Sequence, residues 1–183
     1  MSAAKWKIEK LTEVFPGNEK LFAHYWDLPE RELAIVAGAA IDAGLAEYLA
    51  KYFGGHSEAT VRFFGLDGSD RAPCGTFSAR IQIAALLKIV PSSEVPFLDA
   101  LRHIRNNMAH RVDICFSNQL LKGKFDVLTS EIRNRFPLLG ATPEQTEAAA
   151  TDLRFTFMYF GVVYQSMLHS LMSKLGEAPP KTI

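Results

Sequence analysis

The sequence predicts an all-α fold: a single-domain bundle of five to six helices with a long C-terminal helix. Three observations predict it. Apolar residues recur at three-four spacing through most of the chain. Pro and Gly punctuate those stretches at intervals suited to helices. No period-2 run competes with them. The 183 residues, 48% hydrophobic and 22% charged, are enough for a real core, and thirteen Phe make that core aromatic.

Taken in order, Ala3 to Phe15 reads as a short amphipathic piece stopped by Pro16-Gly17, so that residues 1–27 form an N-terminal arm. Asp27-Leu-Pro-Glu30 has the spacing of a capping box with an early proline. It predicts a helix from there to about Phe53, ended by Gly54-Gly55. Apolar residues lie all round that helix, which predicts a place in the middle of the bundle. Phe64 to Thr76 reads as a glycine-rich loop, Phe77 to Val90 as a helix, and Ser93 as the cap of another running to about Val112. Ser117 to Phe136 reads as a helix weakened by Gly123. Thr142-Pro143-Glu144-Gln145 is a second capping box. It opens a helix expected to persist to Leu175, roughly 50 Å at about 1.5 Å per residue, with Gly176 as its stop. The core bundle thus covers 28–176, and 177–183 form a flexible tail.

Twenty basic residues balance twenty acidic ones, which excludes a surface that is everywhere a trap for nucleic acid or anionic lipid. The charge is uneven along the chain, however. Phe97 to Arg135 holds seven Lys/Arg against four acids, and Leu21 to Thr60 holds six acids against two. Complementary packing between the two segments is the simpler expectation, and a phosphate-binding groove the sharper one. Cys74 and Cys115, far apart and outside any CxxC, cannot form a disulfide framework or a thiolate metal site. His24, His56 and His169 lack metal-ligand spacing, so no metal and no cofactor is expected. The charged start of the chain carries no secretory h-region. Leu153 to Met172, the most apolar stretch, is interrupted by Arg154, Gln165 and His169 and reads as a core helix. The expected location is cytoplasmic, without a membrane. The extra apolar faces of that last helix also serve the expectation of a homodimer, unless the core wraps it fully.

The densest polar cluster is Arg102 to Arg111. Phe97, Leu101, Ile104 and Met108 form the apolar stripe of its helix, while Arg102, Asn106 and His110 stack on the opposite side and His103, Asn107 and Arg111 form a second row. So much Arg, Asn and His on one face suits anion binding or buried hydrogen bonding, and Arg102, Asn106, His110 and Arg111 are binding candidates. Arg105 and His110 fall about 140° apart on the wheel, leaving Asn106 and His110 as the true neighbours. Arg80 sits among Phe77, Ile83, Ala84 and Leu87 and needs a carboxylate inside the bundle, with Glu47 preferred over Asp42. A clamp for a ligand carboxylate is the alternative role of Arg80.

Arg105-Asn106-x-x-x-His110 resembles the signature of HEPN domains, helical bundles many of which are metal-independent ribonucleases. That resemblance implies a homodimer acting on RNA, with His110 as general base on a ribose 2′-OH, Arg105 stabilising phosphorane charge and Asn106 orienting the pair. A wider resemblance covers Glu32 to just past His110. Phe64-Gly65, Gly68, Gly75-Thr-Phe-Ser-Ala-Arg80-Ile and Leu98-Asp-Ala-Leu101 leading into Ile104 to His110 are similar to the mannitol operon repressor family. The polar stretch Asp70 to Cys74 departs from that family's usual loop. This resemblance implies an oligomeric helical transcriptional regulator. With no helix-turn-helix, zinc spacing or basic zipper in the chain, such regulation is expected to act through a protein partner. The sequence-level expectation is therefore a non-catalytic regulatory protein, with a HEPN-type endoribonuclease as the alternative.

Overall fold

A computed structural model describes residues 12–13, 16–69 and 71–177. The N-terminal arm before residue 12 and the tail from residue 178 lie outside the described residues. Eight helices and no strand are present among the described residues: α1 Glu19–Asp27, α2 Glu30–Tyr52, α3 Glu58–Phe64, α4 Phe77–Leu86, α5 Val95–His110, α6 Lys122–Leu138, α7 Pro143–Thr151 and α8 Leu153–Glu177. The all-α class is as predicted, with more and shorter helices than the five to six expected.

Each departure has a local cause. Asp27 does not cap α2; it is the last residue of α1. Leu28, next to Pro29, is extended at φ −71° and ψ 141°, because a residue before proline is pushed out of the helical region. Ser57 starts the unforeseen α3 by accepting the Thr60 amide, and Gly65 ends it in the left-handed conformation at φ 66°. Helix α4 stops at Leu86 rather than Val90, and Lys88 there has φ 56°. Gly123 falls in the first turn of α6, not its middle. Gly176 lies inside α8, which runs one residue further.

The expected rod from Thr142 to Leu175 is two helices. The capping box at Thr142 forms with both of its bonds. At Asp152, however, ψ is 94°, and the carboxylate Oδ1 accepts the Phe155 amide at 3.0 Å. Asp152 thus closes α7 and caps α8.

The chain divides into two compact units, residues 1–38 with 100–163 and residues 39–99 with 164–183, whose boundaries fall inside α2, α5 and α8. The core of the first is aromatic: Phe116 stacks on Phe157 at 5.4 Å and meets Phe125 at 5.1 Å, while Phe136 packs edge-on to Phe155 and Tyr159. Phe155 to Val162 are buried on every side, so the chain itself absorbs the apolar faces of the first half of α8, while Leu171, Met172 and Leu175 stay partly exposed. In the second unit Ile41, Leu45, Leu49, Phe64, Ile81, Ala84 and Leu168 are buried. There the Tyr164 hydroxyl donates to Glu94 Oε2 at 2.7 Å.

The described helix long and apolar enough to cross a membrane is α2, not the C-terminal stretch, and 56% of its most apolar window is buried within the chain. It is not enclosed on all sides as the sequence predicts. Glu32, Val36, Ala39 and Ala43 form an exposed stripe at four-three-four spacing.

Candidate functional site

Helix α5 presents its stripe as predicted: Leu101, Ile104 and Met108 are fully buried, with Phe97 only partly so. Burial of that stripe fixes the rotation of the helix and therefore where its polar rows emerge. Arg102, His103, Arg105, Asn106 and Asn107 are half-buried, and His110 at the end of the helix is exposed. Arg111 lies outside the helix and is exposed.

The rows are internally bonded. The Arg102 guanidinium sits 3.0 Å from His103 Nε2. Asn107 Nδ2 donates to the His103 carbonyl at 2.9 Å, an i to i−4 bond along the second row. Arg105 Nη1 donates to Asn106 Oδ1 at 2.9 Å. The wheel left Arg105 apart from Asn106 and His110, but the length of the arginine side chain closes part of that gap. Arg105 thus reaches Asn106, and His110, one turn beyond Asn106, makes no side-chain bond among the described residues.

Helix α2 holds this end of α5 in place. Arg31 Nη2 donates to the Ala109 carbonyl, one of the last carbonyls of α5, which have no partner within the helix. Glu30 Oε2 accepts the Phe116 amide at 2.8 Å and fixes the segment that follows. Nothing in the sequence marks Glu30 and Arg31 as supports for the polar helix, because these contacts span 86 and 78 residues.

Arg80 is buried as expected, with a different partner. Its Nη1 meets Asp42 Oδ1 at 2.5 Å, Nη2 donates to the Phe64 carbonyl at 2.7 Å and Nε to the Cys74 carbonyl at 3.1 Å. The preferred Glu47–Arg80 pair does not form. Glu47 lies 3.1 Å from His56 in a half-exposed contact instead. One turn and a half along α2 separates Asp42 from Glu47, enough to move the second carboxylate out of the core. A guanidinium engaged by a carboxylate and two carbonyls ties α4 to α2 and to both ends of the Phe64–Cys74 loop, which is structural work. Asp42 occupies the place that a ligand carboxylate would take.

Part of the basic segment is likewise answered locally. Lys122 pairs with Asp126, Arg135 with Glu131 along α6, and Arg133 makes a two-pronged bond to Glu147 of α7. The Arg133 bond holds the Glu147 carboxyl below its ordinary value. These pairings remove most of α6 from any phosphate groove.

Cys74 is fully buried, and burial pushes its thiol upward, an effect that Arg80 partly opposes. Cys115 is exposed beside Ser117. A chromogenic disulfide reagent should therefore titrate a single thiol in the native protein and the second only after denaturation. Two fast thiols would show that the Cys74 loop opens readily. Among the described residues no three His, Cys, Asp or Glu side chains converge as a metal site would require. Comparison of the chain with protein-family models, with curated proteins and with solved structures gives no match.

Proposed function

We propose that this protein is a non-catalytic helical regulator of the kind the mannitol operon repressor resemblance implies, cytoplasmic and homodimeric, influencing transcription through a protein partner. The observation that carries the reading is the state of Arg105. Its Nη1 is taken up by Asn106, its stem lies against Gly38 and its Nε is buried without a partner, which is poor preparation for clamping a phosphate. Val112, 80% exposed just beyond His110 and Arg111, gives this end of α5 the mixed apolar and cationic character of a protein-binding patch.

One observation favours the second reading, a metal-independent endoribonuclease. His110 is exposed, unbonded among the described residues and one helical turn beyond Asn106, the partner of Arg105. In that reading His110 takes the ribose 2′-OH proton, Asn106 orients it and Arg105 steadies the phosphorane.

One experiment separates the two. The full chain, in excess, is incubated with single-stranded RNA while its mass is followed by light scattering. The regulatory reading expects a dimer and intact RNA. Cleavage that disappears in His110→Ala, with an unchanged circular-dichroism melt, would overturn it in favour of the nuclease.

A further inference from the structure

We infer that Gly38 is a positioning residue for the α5 polar row, the seat that aims Arg105 at Asn106. A guanidinium is ordinarily placed by several hydrogen bonds, but that of Arg105 makes only the one to Asn106 among the described residues. Its Nε–H is buried with no partner, while only Nη1 reaches Asn106 Oδ1 among the bonds found. Burying a donor unpaired is unfavourable, so something besides the one hydrogen bond helps to hold the side chain in this pose. The hydrocarbon stem supplies the answer. It crosses α2 at Gly38, where a Cβ would stand 2.7 Å from Arg105 Cγ and 2.9 Å from its Cβ.

Those distances are too short for a real contact, and they involve the root of the side chain rather than its flexible tip. Any side chain at position 38 must therefore move the arginine or push the two helices apart. Gly38 is helical and buried, and its φ is not positive, so backbone conformation gives no reason for glycine here. In a helix interior glycine is the costlier choice over alanine. The close approach of Arg105 is the reason that remains.

The functional part of this inference rests on the reading of the α5 row as the working surface, and its test keeps the two apart. Arginine side-chain NMR on the isotope-labelled full chain reads the Arg105 Nε–H directly. Gly38→Ala should shift or broaden that signal and leave the signal of Arg80 in place. Gly44→Ala, on the same helix but facing the flexible end of Leu168, should leave both unmoved. An unmoved Arg105 signal in Gly38→Ala, or a common shift of both arginines, overturns the seat. If Gly38→Ala is too unstable for NMR, melting temperatures decide. The loss it causes should be at least halved in an Arg105→Gly background, which removes both the Cγ and the Cβ that the new side chain would meet, and an undiminished loss overturns the proposal. Dimerisation and RNA cleavage are then measured for Arg105→Ala. If neither changes, the reading of the row fails while the seat of Arg105 stands.

Discussion

Arg80→Ala should lose about 3–4 kcal/mol of folding stability, among the largest losses available to any single substitution in this chain. The magnitude follows from what is left behind. Asp42 would remain four-fifths buried without its cation, and the Phe64 and Cys74 carbonyls would lose their donors at the same time. Asp42→Ala should lose somewhat less, because the carboxylate is the more exposed partner and Arg80 keeps two carbonyls. Glu47→Gln should change stability by less than about 0.5 kcal/mol, since its contact with His56 is half-exposed. Urea denaturation of the three variants checks the ranking. If Glu47→Gln proved as damaging as Asp42→Ala, the assignment of the ion pair would be wrong.

Phe157→Ala should lose about 3–5 kcal/mol. The ring is fully buried and stacked on Phe116, which in turn packs against Phe125. Deleting it removes the transfer energy of the ring and opens a cavity between rigid aromatic neighbours that cannot collapse into it. Phe157→Leu should recover about half of the loss, because much of the volume returns. A loss below about 1 kcal/mol for the alanine variant would mean that this cluster repacks freely.

The sequence was most legible where a signal is local. The stripe of α5, the capping box at Thr142 and the need of Arg80 for an internal carboxylate all follow from spacings of three to five residues and from the cost of burying a charge. Two further local signals were present and were outweighed. Ser57 with Gly65 brackets α3, but the glycine reads equally well as part of a loop. Asp152 looks like an ordinary polar residue in a helical run until its carboxylate is seen capping the next helix. Other features are not local at all. Which of Asp42 and Glu47 meets Arg80 depends on how two helices are rotated against each other, and periodicity does not encode that rotation. The same holds for Gly38. A glycine in an apolar helix is a weak negative signal in sequence, and only the crossing of Arg105 gives it meaning.

Arg154 donates to the carbonyls of Tyr25, Trp26 and Leu28, closing the end of α1 from 126 to 129 residues away. During synthesis, at about 5–20 residues per second, those carbonyls must wait on the order of ten seconds for their donor to be made. Phe22 and Tyr25, both buried in the finished protein, have no finished site to enter in that interval. The nascent chain therefore carries α1 undocked through most of translation, and it is α8, made long afterwards, that secures α1.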